Sequence, residues 1–240
     1  MCGRFTITTD RIEGILTRFK AAVAPGFEGY QPRYNAAPGQ MLPAIVAKDD
    51  GQRYLMNTFW GFIPPWSEKE GGRTSYQINV RDDTIMKNNF FRDRLLNNRC
   101  IFPADGFYEW KKPEGFVTSN KIKRMPRGLQ KTPYYIKLKN GELFALAGLW
   151  RSVKVEDKVI TTTAIITTKP NGLVSTIHDR MPVILSDEEL NLWLKPDLRE
   201  FSVLHSLLDS YPEVEMESYA VSTIVNNGRN DSQACIEPTL

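Results

Sequence analysis

Cysteine and histidine are scarce in this chain, and their scarcity narrows the chemistry that it can use. Its 240 residues include three cysteines, Cys2, Cys100 and Cys235, and two histidines. An odd number of cysteines at wide spacing does not form a disulfide framework, and no CxxC pair is present to build a structural zinc site. We therefore expect a protein without a metal or a cofactor.

Long apolar runs are missing as well. No stretch approaches the roughly 18 apolar residues of a membrane span. The N-terminus also lacks the basic segment followed by an apolar one that marks a signal peptide. These absences predict a cytoplasmic protein with no membrane association, and the reducing cytosol would keep Cys2 as a free thiol.

Basic residues only slightly outnumber acidic ones. The 31 Lys and Arg residues against 28 Asp and Glu give a net charge of +3, which permits a polyanionic partner without demanding one. Only the segment 111–131 is strongly biased, with seven basic residues and one Glu, and it is either a solvated loop or a phosphate-binding one. GxSxG, HExxH, P-loop and dinucleotide-binding patterns are all absent.

The predicted strands and helices follow one another without the regular alternation of a βαβ fold. Hydrophobic periodicity and turn residues predict strands at 42–47, 54–60, 99–107, 134–138, 143–149, 159–167 and 214–221. Capping signals predict helices at 12–19, from Asp82 or Asp83 through Leu95, from Ser186 onward and at about 198–208. Asn140-Gly141 is the strongest hairpin signal and would pair strand 134–138 with strand 143–149.

This order of elements decides the fold class. Many strands and few helices, with no internal repeat and no linker, predict a single domain that spans residues 1–240. We expect an α+β fold built on an antiparallel, barrel-like β-sheet with a few flanking helices.

Cys2 stands in a position that gives its thiol a chemistry unavailable to an internal cysteine. An initiator Met is generally removed when the next side chain is small, so we expect a mature chain that begins with Cys2. A terminal cysteine carries an α-amine of pKa ~8 and a thiol of pKa ~8.5 on adjacent carbons. Together they can close a thiazolidine ring on an aldehyde, whereas the thiolate alone can attack an acyl carbon. The alternative is a chance cysteine in a frayed terminus.

Glu109 and His178 are the candidates for proton transfer. Glu109 lies between aromatic residues at the end of an apolar strand, where period-two alternation puts it on the same face as Phe107. An inward face would desolvate its carboxylate and raise its pKa toward the range of a general acid or base. His178 sits in a turn beside Asp179 and before a proline, a position typical of catalytic loops. The alternatives are an edge Glu that points to water and a surface His.

Five further polar or aromatic residues are candidates, and four of them are open to two interpretations. Arg4, two residues after Cys2, puts a permanent cation beside the nucleophile. Asn79 is either a turn residue or a site residue, and Arg81 and Arg180 are either surface charges or forks for phosphate oxygens. Trp66, in a proline-rich loop, is either part of the core or a platform for base stacking.

Taken together, these residues occur within motifs that resemble one known family. In chain order the motifs are Met1–Phe5, Tyr34–Pro38, Trp60–Trp66, Ile78–Arg81, Arg99–Trp110, His178–Pro182 and Val225–Asp231. Their identity and order resemble the SRAP (SOS-response-associated peptidase) family, whose members form covalent DNA–protein crosslinks at abasic sites in single-stranded DNA. Where the family usually has Ala, this chain has Val80, and Asp82-Asp83 replaces Ser-Glu.

The resemblance implies a role for each candidate. Cys2 would form a thiazolidine with the sugar aldehyde after Met1 is removed, and the crosslink would shield the lesion, with AP-lyase activity as an accompanying reaction. Asn79, Glu109 and His178 would complete the catalytic set.

The resemblance also implies how DNA is held. Arg4, Arg81 and Arg180 would grip phosphates, and Trp66 would stack or wedge at a kink in the strand. The implied partner is single-stranded DNA with abasic sites, including single-strand/double-strand junctions. We expect a monomer, associated with the nucleoid in a prokaryote.

Two other functions use the same residues. The first is a cysteine peptidase or self-processing hydrolase with Cys2 as the thiol nucleophile and His178 as its base. The second is a non-catalytic single-strand binder in which Cys2 is structural.

Overall fold

Two β-sheets form the framework of the protein. A computed structural model describes residues 2–67, 75–113, 115, 130–155 and 157–239. The strands are β1 (Phe5–Ile7), β2 (Ala21–Val23), β3 (Arg33–Ala36), β4 (Met41–Ala47), β5 (Arg53–Trp60), β6 (Asn79–Arg81), β7 (Arg99–Ala104), β8 (Gly106–Lys111), β9 (Thr132–Leu138), β10 (Phe144–Val155), β11 (Lys158–Thr168), β12 (Met181–Pro182), β13 (Ile184–Leu185) and β14 (Met216–Ala220).

Short helices lie between these strands. They are α1 (Ile12–Phe19), α2 (Asp82–Lys87), α3 (Asn89–Asn97), α4 (Gly172–Ser175), α5 (Asp187–Trp193) and α6 (Phe201–Ser206). The predicted capping box opens α5, where the Ser186 hydroxyl accepts from the Glu189 amide and the Glu189 carboxylate accepts from the Ser186 amide. No helix in the described part of the chain is long and apolar enough to cross a membrane.

The larger sheet closes on itself. Strands β5, β4, β7, β10 and β11 pair in that order, and β11 pairs back with β5. This confirms the α+β class and the barrel, with one refinement. Strand directions cannot alternate all the way round a ring with an odd number of strands, so one pairing must be parallel, and it is the β5–β11 pairing.

The smaller sheet, in the order β14-β9-β8-β1-β3, is antiparallel throughout. Phe5 of β1 joins it to the barrel core, because its ring lies 5.2 Å from Trp60 and 5.8 Å from Phe102, centroid to centroid. These side chains are fully buried. Burial of a Phe side chain contributes on the order of 1.5–3 kcal/mol. The start of the chain is therefore anchored between the two sheets.

The predicted hairpin at Asn140-Gly141 is wrong, although a turn does form there. The amide of Gly141 donates to the carbonyl of Leu138 at 3.1 Å, but β9 pairs with β8 and β14 while β10 pairs with β7, β11 and β13. A local turn signal favours a reversal of the chain. It cannot specify that the two arms join different sheets, because long-range packing decides that.

The predicted helix from Asp82 to Leu95 is two helices. α2 ends at Lys87, and the side chain of Asn88 caps α3 by accepting from the amides of Phe90 and Phe91. Asn side chains favour such caps over helix interiors because they compete for backbone hydrogen bonds. α2 follows β6 directly, with no residue between Arg81 and Asp82, and this junction is part of the site described next.

Candidate functional site

Cys2 lies at the junction of the two sheets and is completely buried. Its carbonyl accepts a hydrogen bond from Asn79 Nδ2 at 2.9 Å. Two residues later, the Arg4 carbonyl accepts from the backbone amide of Tyr108 at 3.0 Å. The site therefore takes its backbone from three strands: β1 just after Cys2, β6 beginning at Asn79, and β8. A frayed terminus would make none of these contacts.

Glu109 faces this junction from the middle of β8. It is 2% exposed, and burial raises the pKa of its carboxyl from 4.5 to about 6. Desolvation disfavours the charged form, so the carboxyl changes protonation state close to neutral pH. The structure thus bears out the burial and the direction of the pKa shift that the alternation in β8 indicated.

His178 approaches Glu109 from the turn between α4 and β12. Its Nε2 lies 3.8 Å from Glu109 Oε2, too far for a hydrogen bond but close enough for a small movement to make one. Burial lowers the pKa of His178, which keeps the imidazole neutral at neutral pH. The turn is held by a bond from the His178 amide to the Val174 carbonyl at 2.8 Å.

The surroundings of His178 select its tautomer. Nδ1 meets the Arg180 amide at 3.1 Å and an Asp179 carboxylate oxygen at 3.0 Å, and one tautomer cannot satisfy both groups. The Asp179 side chain is 88% exposed and can turn into water, whereas the backbone amide is fixed. Nδ1 therefore accepts, and the proton of the neutral ring lies on Nε2, which faces Glu109.

Asn79 carries the clearest sign of an incomplete site. Its Nδ2 holds the Cys2 carbonyl, but its Oδ1 is buried with no hydrogen-bond partner among the described residues. A buried polar atom without a partner costs about 1–3 kcal/mol and is usually satisfied in the functional state. The oxygen is thus available to an N–H or O–H donor that enters beside Cys2.

Burial makes the Cys2 thiol harder to deprotonate, whereas a reactive thiolate requires a thiol that loses its proton easily. Desolvation, with the nearby Glu109 carboxylate, raises the pKa of Cys2 far above its ordinary value. Its Sγ lies 3.7 Å from the Arg4 carbonyl. The thiol is therefore neutral at rest and requires a base to become nucleophilic.

Arg4 is held by a polar cluster from the C-terminal region. Its Nη1 donates to Asn35 Oδ1 at 3.2 Å and to the Val225 carbonyl at 2.8 Å. The Asn35 amide in turn donates to the carbonyls of Val225, Asn227 and Asn230. These contacts hold the partly buried Arg4 guanidinium in a fixed position. Its predicted phosphate contact stays a prediction.

Arg81 and Arg180 lie in different environments. The guanidinium of Arg81 is half exposed and makes two hydrogen bonds to Asp83, at 3.0 Å and 2.8 Å. Arg180 is 9% exposed, and its Nη2 donates to Asp82 Oδ1 at 2.6 Å and to the Thr167 carbonyl. A DNA phosphate can reach Arg81 by replacing Asp83, but contact with Arg180 requires opening of a partly buried ion pair.

Trp66 lies in the segment that connects β5 to β6. It is 55% exposed, and its ring meets Phe90 and Phe91 edge-on, with centroids 5.1 and 6.0 Å away. This geometry favours the exposed-platform interpretation of Trp66 over the core one.

A cleft of about 340 Å³ lies beside His178, lined by Lys111, Lys112, Ser175, Thr176, Ile177, His178 and Asp179. Lys111 and Lys112 contribute two cations to its lining, and Asp179 contributes a carboxylate. Most of the basic segment 111–131 lies outside the described residues. Within the described ranges no group of His, Cys, Asp or Glu is arranged to hold a metal ion.

Three residues of the site region were missed by the sequence interpretation. Asn35 holds Arg4, and Asp82 holds Arg180. Asp105 fixes β1, since it accepts from the amide of Thr8 at 2.5 Å and from the Thr8 hydroxyl at 2.7 Å. Each lies in or beside a family-like motif, but a single sequence carries no signal for a side-chain contact between distant segments.

Comparisons with known proteins show which family the chain resembles. Residues 1–228 match the SRAP family, described as SOS response associated peptidase. The abasic site processing protein YoqW of Bacillus subtilis (strain 168) is 41% identical over 239 residues, which cover 99% of both chains. The abasic site processing protein HMCES of Gallus gallus is 31% identical over 228 residues, covering 87% of this chain and 67% of its own.

Solved structures share the fold. A crystal structure of a protein from Bacteroides thetaiotaomicron superimposes with a TM-score of 0.82 at 25% identity, over the full length of both chains. A phage-related protein from Bordetella bronchiseptica gives a TM-score of 0.66 at 26% identity over 92% of this chain and 94% of its own. The fold, the motifs and their order lead to one conclusion: this chain belongs to the SRAP family.

Proposed function

We propose that this protein processes abasic sites in DNA by capturing the sugar aldehyde covalently through Cys2, which forms a thiazolidine that shields the lesion. The proposal requires that Met1 is removed, so that Cys2 carries a free α-amine. Met1 itself lies outside the described residues. The observation that carries the proposal is the convergence of Cys2, the unsatisfied Asn79 amide oxygen and the Glu109–His178 pair at one buried point.

The first step is attack by the amine. An abasic sugar must open to its aldehyde, which moves a proton from the anomeric hydroxyl to the ring oxygen. Glu109 and the Nε2–H of His178 face each other at 3.8 Å and are suited to accept and donate that proton. The Cys2 amine then adds to the aldehyde carbon, and loss of one water from the carbinolamine gives a Schiff base.

Ring closure uses the thiol second. Because the buried thiol of Cys2 has a raised pKa, it is a poor nucleophile until a base takes its proton. The Glu109 carboxylate can remove it as sulfur bonds to the imine carbon, and the imine nitrogen gains a proton. The overall reaction joins aldehyde and cysteine with the loss of one water and needs no oxidant.

Asn79 gives the reactants a fixed position. Its Nδ2 already holds the Cys2 carbonyl, and its unpaired Oδ1 would accept from the amine or from a sugar hydroxyl. Fixing reactants in this way converts a bimolecular step into an effectively unimolecular one. The Schiff base also makes β-elimination accessible, and we extend the proposal to AP-lyase activity by that route.

The position of the site favours a single strand or a single-strand/double-strand junction. An internal sugar can reach a buried chain terminus only if the strand bends sharply, which an intact duplex resists. Trp66 would stack on a base at the bend, and Arg81 and Arg4 would hold phosphates, with Arg180 joining them only where its pair with Asp82 opens. In a prokaryotic cell the protein would act as a monomer at the nucleoid.

The test is incubation with a single-stranded oligonucleotide that carries one abasic site, followed by a denaturing gel and by mass spectrometry of the protein. We expect a shifted band with wild type and none with Cys2→Ala. The crosslinked mass should equal protein plus DNA minus one water, and the protein mass should lack Met1. Cys100→Ala is the matched control, since Cys100 is also a fully buried free thiol, and it should crosslink like wild type.

A shifted band that persists in Cys2→Ala, or no band with a wild-type protein whose mass lacks Met1, would refute the proposal. Cys2-dependent digestion of a peptide library without any crosslink would support the peptidase instead. The raised pKa of the Cys2 thiol means that either reaction needs a base beside the sulfur.

A further inference from the structure

Two neighbouring aspartates at the start of α2 hold two arginines in different ways. Asp82 makes a structural ion pair with Arg180, and its other oxygen accepts from the Thr168 hydroxyl at 3.0 Å. Asp83 instead holds Arg81 at the surface, with side chains 50% and 45% exposed for the arginine and the aspartate. The first pair is part of the fold, whereas the second can open without loss of buried contacts.

The Arg81–Asp83 pair occupies the groups that a phosphate would use. Nε donates to Oδ1 at 3.0 Å and Nη2 donates to Oδ2 at 2.8 Å. This two-point geometry is the one in which a guanidinium binds carboxylate or phosphate oxygens. Carboxylate and phosphate therefore compete for the same N–H groups, and a bound phosphate must displace Asp83.

Displacement does not remove Asp83 from the neighbourhood. The residue is fixed in the first turn of α2, two positions from Arg81, so its carboxylate remains beside the phosphate that replaced it. Asp82 and Asp179 also act on Arg81, while Arg180 and Lys87 act on Asp83. The acidic groups outweigh the basic ones around Arg81, and the repulsion adds to the cost of opening the pair.

We propose that Asp83 competes with the DNA backbone for Arg81. In the free protein the Asp83 carboxylate occupies the guanidinium group of Arg81, and this weakens binding to single strands. This inference rests on the proposed function for its ligand. Its consequence is a short residence time on undamaged DNA, because phosphate contacts dominate non-specific affinity. Covalent capture at a lesion is independent of that affinity once the site is filled.

The experiment is a double-mutant cycle measured by fluorescence anisotropy with an undamaged single-stranded oligonucleotide at low salt. Wild type, Asp83→Asn, Arg81→Met and the double variant are compared. We expect Asp83→Asn to tighten the Kd about two- to fivefold, the range of an exposed ion pair, and to have no such effect in the Arg81→Met background. The crosslinking rate of Asp83→Asn at saturating abasic DNA should equal that of wild type.

Asp187→Asn is the matched control. Asp187 forms an exposed pair with Arg18 at 2.6 Å on another part of the surface, and its substitution changes the net charge by the same amount. It should change the Kd less than about 1.5-fold. An Asp83→Asn effect no larger than this one, or one that persists without Arg81, would overturn the inference. Crosslinking of the same wild-type preparation to an abasic oligonucleotide separates that outcome from failure of the proposed function, which would abolish the crosslink.

Discussion

The buried and exposed parts of the site differ in what their residues can contribute. We call Cys2, Asn79, Glu109 and His178 the site floor, and Trp66 and Arg81 the site rim. Floor residues change their proton affinity on folding, as the shifted pKa values of Cys2, Glu109 and His178 show. Rim residues stay half exposed, where water and salt screen their charges. The floor is thus built for chemistry and the rim for contact with a ligand.

Glu109→Gln should produce the largest effect. The substitution keeps the shape of the side chain but removes the proton acceptor, and loss of a general acid or base typically lowers a rate about 10²–10⁴-fold. We expect this loss in the single-turnover rate of crosslinking, with little change in the Kd for undamaged DNA. Quenched gel assays at saturating protein give the rate, and anisotropy gives the Kd.

Glu217→Gln is the control for that prediction. Glu217 lies on β14 of the same sheet and makes an exposed pair with Lys137 at 3.1 Å. It should crosslink at the wild-type rate. If Glu109→Gln weakened DNA binding and left the rate at saturation unchanged, the assignment of Glu109 to the floor chemistry would be wrong.

Arg180→Met and Arg81→Met test the difference between a buried and an exposed arginine through the free energy of unfolding. Removal of Arg180 leaves the partly buried Asp82 carboxylate without its cation, and we expect a loss of about 2–4 kcal/mol in the free energy of unfolding. Arg81→Met leaves Asp83 in water and should unfold like wild type while it binds DNA more weakly. Urea denaturation and anisotropy of both variants test this, and equal stability of the two would contradict it.

Trp66→Ala tests the rim alone. Base–aromatic stacking contributes about 1–3 kcal/mol per base, so the Kd for single-stranded DNA should rise by roughly 5–150-fold. Trp66→Phe keeps an aromatic face and should recover most of the affinity. The rate of crosslinking at saturating DNA should change little in either variant, and a slowed rate at saturation would place Trp66 with the floor.

The smallest expected effect concerns the pH dependence of stability, which tests the site floor. The folded pKa of Glu109 is about 6, against 4.5 for an ordinary carboxyl, so the native state binds the extra proton between these values. Stability should therefore fall as pH rises from about 4.5 to about 6, by roughly 1–2 kcal/mol. The lowered pKa of His178 acts in the opposite direction below its ordinary value.

The two effects separate when wild type is compared with Glu109→Gln. The stability difference in favour of the variant should grow as pH rises through this window and stay constant above it. Urea denaturation at a series of pH values measures the difference. A difference that does not vary with pH would show that the Glu109 carboxyl is not desolvated.

Local patterns were sufficient for much of the fold. The capping box at Ser186, the alternation in β8 and the β-branched run of β11 predict their elements because short-range hydrogen bonds and side-chain direction depend on neighbouring residues. The same locality explains the failures. Asn140-Gly141 makes its turn, but sheet membership depends on strands far away in the chain. The helix break at Asn88 depends on a cap that competes with helix continuation by a small margin.

By itself, the sequence determined the chemical inventory of this protein: a thiol at position 2, one glutamate in an aromatic strand, one histidine in a turn and family motifs in order. Only the tertiary structure decided which of these groups meet. It desolvates Glu109, directs Nε2 of His178 toward it and leaves the amide oxygen of Asn79 open. It also separates Arg81 from Arg180, because exposure and ion pairing depend on the packing of distant segments.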